Sequence, residues 1–254
     1  MMDQKQFDAL LDQWIEDHKQ EMIEELGLWV SQKSVSRVDL GAPGAPYGPD
    51  CRKMLDLALE RCRHYSFETH DYEGYTGDAR FGPTEHEISF VGHLDVVPEG
   101  SGWDTDPYTC VEKDGMLYGR GVSDDKGPVV AALFSMKAIR DLGIPVSKNV
   151  RLILGTDEES GSSDIAYYYE REPFAPMSFT PDASFPLINV EKGHFSPHFG
   201  RQWPEEAVLP LGGSSLPILG LAQMPRCVAI VNGGAFAGYG RTLPPALAST
   251  LLVA

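Results

Sequence analysis

The chain has 254 residues, and 42% of them are hydrophobic, so it is long and apolar enough to bury a sizeable core. Asp and Glu together number 37 against 21 Lys and Arg, which leaves a net charge of -16. Nucleic acids and anionic membranes attract positively charged surfaces, so this balance argues against both as partners.

The cysteine pattern and the N-terminus both bear on cellular location. The four cysteines have no Cys-X-X-Cys spacing, which favours reduced thiols in a cytoplasmic protein over a disulfide framework. The acidic, amphipathic N-terminus lacks the basic start and the apolar stretch of a signal peptide. Residues 207–225 are uncharged and long enough to span a membrane, but prolines interrupt them, so we expect no transmembrane helix there.

Apolar residues recur at helical spacing from Phe7 to Val30, with acidic residues on the other face, which predicts a first helix. Further helices are predicted over residues 51–63, 127–142 and 163–171. Short apolar runs predict strands over residues 88–93, 149–155 and 187–190. Because strands alternate with helices, we expect an α/β fold in which helices flank a layered, mostly parallel sheet.

Four polar clusters lie at the ends of such segments: His93-Leu-Asp95, Asp124-Asp125, Glu158-Glu159 and Asp182. Taken singly, each has an ordinary structural explanation; Asp124 and Asp125 could simply favour the N-terminus of the helix that follows. Ligands of parallel sheets bind beyond the carboxyl ends of the strands, where converging carboxylates would repel one another without a cation. One imidazole and several carboxylates are donors that Zn²⁺ uses, so the clusters together predict a metal site.

Spacing within two clusters indicates different roles for neighbouring residues. Residues two apart on a strand face the same side, so Asp95 can reach back and orient His93. Adjacent Glu158 and Glu159 need not share a role, because one can bind metal while the other acts as a general base.

Five segments carry a family resemblance: Gly92-His-Leu-Asp-Val-Val-Pro98, Trp103-Asp-Thr-Asp-Pro-Tyr108, Leu117-Tyr-Gly-Arg-Gly-Val-Ser-Asp-Asp-Lys-Gly-Pro128, Gly155-Thr-Asp-Glu-Glu-Ser-Gly161 and Phe179-Thr-Pro-Asp-Ala183. They resemble, in order, the motifs of the M20 metallopeptidases, and they look most similar to the cytosolic PepV-like and Sapep-type dipeptidases. The resemblance runs from the first helix to about Gly193. It implies a zinc-exopeptidase catalytic domain, a cytoplasmic location and hydrolysis of small peptides.

The resemblance also implies a role for each candidate residue. His93 and Asp182 would bind a first metal ion, Asp124 would bridge two ions, and Glu159 would bind the second. Glu158 would be the general base, and Asp95 would hold His93 in place. The implied cofactor is a pair of Zn²⁺ ions, with Mn²⁺ or Co²⁺ as alternatives. The family further implies a cis peptide bond between Asp124 and Asp125.

The chain departs from the family pattern in its last part. The family closes its second metal site with a histidine that follows an inserted lid domain, and a lid histidine polarises the scissile carbonyl. The last histidines here are His194 and His198, and residues 207–254 contain no Asp, Glu or Lys. By that pattern the second ion keeps only Asp124 and Glu159, so we predict that peptidase activity of this chain by itself is weak or absent.

Two domains are therefore predicted. Residues 1–200 would be the N-terminal part of the catalytic domain, and residues 201–254 a truncated or aberrant start of a lid domain that is otherwise missing. Metal-dependent dipeptide hydrolysis is the leading hypothesis for function. A non-catalytic metal-binding fragment and another M20 amide hydrolase, such as a deacylase or carboxypeptidase, are the alternatives. The oligomeric state is left open.

Overall fold

A computed structural model describes residues 4–82, 86–183 and 188 of the chain. Its helices are α1 (Gln4–Ser31), α2 (Pro49–His64), α3 (Lys126–Asp141) and α4 (Ser163–Tyr169). Its strands are β1 (Glu68–Tyr72), β2 (Thr76–Phe81), β3 (His86–His93), β4 (Val111–Lys113), β5 (Met116–Tyr118), β6 (Asn149–Gly155) and β7 (Met177–Phe179). Short 3-10 turns occupy Val38–Leu40 and Glu158–Ser160.

Five of these strands form one sheet in the order β1-β2-β6-β3-β7. The strands β6, β3 and β7 run parallel, with His93 opposite Gly155 and Phe90 opposite Phe179. Strands β1 and β2 add an antiparallel hairpin at the far side of β6. A separate two-stranded hairpin, β4–β5, lies in the long connection between β3 and α3.

One face of the sheet carries the apolar core. On β6, Val150, Leu152 and Leu154 belong to this core, because alternate residues of a strand share a face. They lie in one cluster with apolar residues of α1, α2 and α3, among them Trp29, Leu55 and Leu133. Burial of this surface is the main favourable contribution to folding.

The opposite face of the sheet is covered by α4 through polar contacts. The Tyr168 hydroxyl donates to Asp78 Oδ2 at 2.7 Å and accepts from Arg151 Nη1 at 3.1 Å. Arg80 pairs with the same Asp78 carboxylate at 2.7 Å. Because Asp78, Arg151 and Tyr168 are all buried, these bonds satisfy groups that would otherwise lose their water without compensation.

The predicted α/β fold with helices around a parallel sheet is confirmed, and the four predicted helices and two of the strands lie where the sequence placed them. The hairpin β1–β2 was not predicted, because only Ala79 and Phe81 of β2 face the apolar core, while the alternate residues Asp78 and Arg80 face the polar network. The strand predicted over residues 187–190 and the domain boundary at residue 200 lie outside the described residues. Within the described ranges, no helix combines the length and apolarity needed to cross a bilayer.

Candidate metal centre

The candidate metal centre lies at the carboxyl edge of the three parallel strands. His93 is the last residue of β3, the turn bearing Glu158 and Glu159 follows β6, and Asp182 comes three residues after β7 ends. Since parallel neighbours end at one edge of a sheet, these side chains converge although they are far apart in sequence. Asp124 joins them from the segment just before α3.

Three of the predicted ligands form one cluster. Donor atoms of His93, Asp124 and Asp182 all lie within 4.8 Å of one another. His93 Nε2 is 2.9 Å from Asp124 Oδ1 and 3.6 Å from Asp182 Oδ2. The imidazole is buried, whereas 61% of the Asp124 side chain is exposed, so solvent reaches the cluster on the Asp124 side and is excluded on the His93 side.

Two groups of Asp95 hold the ring of His93. Its backbone carbonyl lies 2.9 Å from Nδ1 of His93, and its carboxylate Oδ1 lies 3.4 Å from the same nitrogen. Burial lowers the pKa of His93, but the hydrogen bond to Asp95 and the charges of Asp95, Asp125 and Asp182 outweigh it and raise the pKa to about 10. Nδ1 is thereby occupied, and Nε2 is the nitrogen that faces the carboxylates.

The two glutamates occupy the turn after β6. Backbone N–H groups of Glu158 and Glu159 donate to the Asp95 carboxylate at 3.2 and 3.1 Å. Glu158 Oε2 lies 3.9 Å from His93 Nε2. Burial and the neighbouring carboxylates raise the pKa of Glu158, and burial and the charge of Asp124 raise that of Glu159. Glu159 lies outside the three-residue cluster but in the same negative electrostatic environment.

Asp124 and Asp125 are adjacent in sequence, but the first is exposed and the second is buried. The peptide bond between them is cis, which confirms that expectation. Asp125 is fully buried behind His93, where its Oδ2 accepts the His93 backbone N–H at 3.2 Å. Its Oδ1 has no hydrogen-bond partner among the described residues, and burial raises its pKa to about 7. Of the two aspartates, Asp124 is the one whose carboxylate joins the cluster.

Two residues, Lys126 and Ser36, support this site through contacts that the sequence analysis did not predict. The buried Lys126 ammonium donates to the carbonyls of Trp29 and Gln32 at 3.1 and 2.7 Å, so that the start of α3 is fixed to the end of α1. Ser36 Oγ donates to Asp157 Oδ1 at 3.2 Å from 121 positions away in the chain. Only the tertiary contacts identify these partners, because no local spacing relates them to the glutamates.

The donors of the cluster fit a divalent cation. One imidazole nitrogen and two carboxylates come together from three separate segments, and His with carboxylate is a donor set that zinc accepts. Cation binding would require His93 to lose the proton that its raised pKa retains.

Comparison with known proteins shows which protein family this chain resembles. Residues 89–203 match the model of peptidase family M20/M25/M40. "Putative dipeptidase YtjP" of Bacillus subtilis (strain 168) is 37% identical over 196 residues, which are 75% of this chain and 42% of that protein. "Putative dipeptidase SH1171" of Staphylococcus haemolyticus is 35% identical over 70% of this chain and 38% of its own length. The chain thus spans less than half the length of these curated relatives.

Solved structures agree with this assignment. Human carnosine dipeptidase 1 superposes with a TM-score of 0.59 at 27% identity, over 69% of this chain and 41% of that one. The M20 metallo-carboxypeptidase Sso-CP2 of Sulfolobus solfataricus shares the fold, with a TM-score of 0.53 at 21% identity, over 65% of this chain and 37% of that one. Five ordered motifs, the sheet-edge cluster and these matches lead to one conclusion: the chain contains a domain of the M20/M25/M40 peptidase family, matched over residues 89–203.

Proposed function

We propose that the protein hydrolyses the peptide bond of dipeptides with the help of divalent metal ions. The convergence of His93, Asp124 and Asp182 at one sheet edge is the observation that carries this proposal. The dipeptidase names of the related proteins support the choice of substrate. Because the chain spans less than half of those relatives, the activity of a whole protein is part of the proposal.

Four residues would hold the metal ions. His93 and Asp182 would bind the first ion, Asp124 would bridge both ions, and Glu159 would bind the second. Zinc suits these donors best, with Mn²⁺ or Co²⁺ as alternatives. When bound, such ions supply Lewis-acid chemistry that polarises a carbonyl and lowers the pKa of water.

Glu158 is proposed as the general base. Its carboxylate is half exposed and lies 3.9 Å from His93 Nε2, so it borders the cluster and remains open to water. Its raised pKa improves its match to proton transfer near neutral pH. Glu158 Oε2 would take the proton from the attacking water and deliver it to the leaving amine. Asp95 touches no substrate in this scheme and acts by orienting His93 and holding the turn.

The two ions would not be held equally by this chain. The first has three donors, whereas Asp124 and Glu159 are the two proposed for the second, and no histidine follows His198 in the sequence. We therefore propose one tightly and one weakly bound ion for these 254 residues, together with low hydrolytic activity. A cytoplasmic location, proposed from the cysteine pattern, completes the proposal.

Metal titration combined with a peptidase assay tests the proposal. Native mass spectrometry and calorimetry with Zn²⁺, Co²⁺ and Mn²⁺ would count the ions, and a panel of dipeptides, acylated amino acids and longer peptides would measure hydrolysis. We expect His93→Ala and Asp182→Ala each to weaken binding of the first ion by more than about 10-fold. Glu158→Gln should keep that affinity and lower any hydrolysis by about 10²–10⁴-fold.

Glu112→Gln, at an exposed position of β4, is the matched control and should change neither quantity. Unchanged metal affinity in His93→Ala and Asp182→Ala would overturn the assignment of ligands. Tight metal binding with no hydrolysis of any peptide would favour the non-catalytic fragment, and cleavage of acylated amino acids alone would favour the deacylase alternative.

A further inference from the structure

Four consecutive backbone amides of the turn after β6 donate to two carboxylates. The N–H groups of Thr156 and Asp157 donate to Asp164 Oδ2 at 2.5 and 3.0 Å. Those of Glu158 and Glu159 donate to the two oxygens of Asp95 at 3.2 and 3.1 Å. Both acceptors are fully buried. Hydrogen bonds to an ionised acceptor are stronger than neutral ones, so this pair of carboxylates defines the path of the turn.

Asp164 reaches the turn from the first helical turn of α4, across the backbone of Gly155. A β-carbon built on Gly155 would lie 2.7 Å from Asp164 Oδ2, which is closer than side-chain contacts allow. The contact therefore depends on a residue without a side chain at the end of β6. Gly155 pairs with His93 across the sheet, so Asp164 lies beside the strand ends that carry the metal centre.

Burial of Asp164 has no compensating ion pair. No cationic side chain among the described residues pairs with it, and its acceptors are used by the backbone of residues 156, 157 and 165. Burial outweighs these hydrogen bonds and raises the pKa of Asp164 to about 6. A buried carboxylate without a cation lowers stability, so its contribution has to be sought in the geometry that it imposes.

A second set of contacts closes the same segment. Asp157 Oδ2 accepts from Ser163 Oγ at 2.6 Å, and the Asp157 carbonyl accepts from the amides of Gly161 and Ser162 at 3.1 and 2.8 Å. The chain from Gly155 to Asp164 is thus one closed unit joined to α4. Glu158 and Glu159 project from the middle of this unit.

We propose that Asp164 is a positioning residue, which acts together with Asp95 to fix the orientation of Glu158 and Glu159. It touches neither metal donors nor substrate, and it acts only through the backbone of the turn. The inference deepens the proposed function, because the chemical importance of the turn rests on the roles given there to the two glutamates.

Amide hydrogen exchange in the metal-free full chain tests the proposal. In Asp164→Ala the amides of Thr156 and Asp157 lose their acceptor in any case, so the informative amides are those of Glu158 and Glu159. We expect their exchange to accelerate by about 10-fold or more, because their bonds to Asp95 require the turn that Asp164 holds. Unchanged exchange at both positions in a folded variant would overturn the proposal.

Asp164→Asn keeps the side-chain volume and a neutral hydrogen-bond acceptor. If Asp164→Ala does not fold, this variant tests the positioning role instead. A smaller acceleration in the same two amides is expected, since neutral acceptors bind amides less strongly. Glu25→Gln removes a buried carboxylate of α1 and controls for lower global stability. Tyr168→Phe removes a hydrogen bond between α4 and Asp78 while keeping Asp164 and the packing of the ring, so it controls for the loss of a buried hydrogen bond elsewhere on the same helix. Both controls should leave Glu158 and Glu159 unchanged.

Metal titration of the same variants separates this inference from the proposed function. We expect Asp164→Ala to lower the affinity for the second Co²⁺ ion by about 10-fold and to leave the affinity for the first ion nearly unchanged. If the wild-type chain binds no divalent ion, the proposed function is contradicted, while the exchange data still test the role of Asp164. If Asp164→Ala binds metal as the wild type does and the Glu158 and Glu159 amides exchange at unchanged rates, only the proposed role of Asp164 is contradicted.

Discussion

Gly92 lies directly behind the candidate metal centre, one residue before His93. A β-carbon there would come within 2.4 Å of Val129 Cγ2 and 2.7 Å of Asp125 Oδ2. Val129 is a buried residue of α3, and Asp125 is the buried neighbour of Asp124. The close approach of α3 to β3, which brings Asp124 near His93, therefore depends on a glycine at this position.

We expect Gly92→Ala to lower the free energy of unfolding by about 1–3 kcal/mol, because the added methyl group overpacks a closed interface. Urea denaturation would measure the change. Gly27→Ala is the matched control, since its β-carbon meets its nearest atom, Cys110 Cβ, at 3.9 Å. That change, inside helix α1, should stabilise the protein by up to about 1 kcal/mol. Equal effects of the two substitutions would contradict this account.

At the same scale, the sequence predicted the candidate ligands but not their surroundings. Residue type and position at segment ends selected His93, the Asp124-Asp125 pair and Asp182 as candidates, and the resemblance to the M20 metallopeptidases implied which of them bind metal. The structure brings His93, Asp124 and Asp182 into one cluster. Glu159 lies beside the cluster, and its role stays a prediction, as do those of Glu158 and Asp95. The buried position of Asp125 results from its packing against the end of β3, and it could not be read from an acidic doublet.

At the scale of elements, a buried carboxylate joins α1 to α2. Glu25 accepts from Trp29 Nε1 at 2.7 Å, from Arg61 Nη2 at 2.7 Å and from the Tyr65 hydroxyl at 2.8 Å. Burial raises the pKa of Glu25, but the hydrogen bonds from Arg61, Tyr65 and Trp29 outweigh it and hold the pKa below its ordinary value. The ionised form of Glu25 is thus the form that the helix pair stabilises.

We expect this contact to make stability depend on pH. A carboxyl whose pKa is lower in the folded state adds stability above its unfolded pKa and loses it as the pH falls through the folded value. Glu25→Gln should therefore lower the free energy of unfolding by about 2 kcal/mol at pH 7, and the deficit should shrink below about pH 4. Urea denaturation of both proteins at several pH values from 3 to 8 measures this difference in the free energy of unfolding. A deficit that stays constant over this range, or one equally large for the exposed neighbour in Glu24→Gln, would refute the expectation.

Elements differ in how far the sequence predicted them. Helix α3 was predicted nearly to its bounds, because its apolar residues follow a helical period and face one core. The hairpin β1–β2 was missed, because β2 supplies only Ala79 and Phe81 to the apolar core, while Asp78 and Arg80 face the polar network under α4. Two apolar side chains are too few to reveal a strand from the hydrophobic pattern.

At the scale of the whole molecule, the metal centre links distant parts of the chain. His93, Asp124 and Asp182 come from the end of β3, the start of α3 and the segment after β7. A ligand that binds only the folded state stabilises it by mass action, by about 2.7 kcal/mol at a concentration 100 times its Kd. An ion shared by these three residues would hold three connections together at one edge of the sheet.

We therefore expect Zn²⁺ or Co²⁺ to raise the melting temperature of the full chain, and a chelator to reverse the increase. Asp182→Ala should abolish most of this increase, because it removes a carboxylate from the cluster. Differential scanning fluorimetry with and without EDTA measures both effects. The same metal-induced increase in wild type and Asp182→Ala would place the stabilising ion elsewhere.

The α/β class, the ligand types and the order of the motifs could be read from the amino-acid sequence, because residue type and periodicity are local properties of a chain. The contacts between atoms became known only from the folded arrangement: Nε2 of His93 with Asp124, Asp125 behind β3, and Asp164 under the turn of the two glutamates. These contacts join segments that are separated in sequence by up to dozens of residues. Their geometry depends on the packing of β3, β6, α3 and α4, and no spacing within a single segment encodes it.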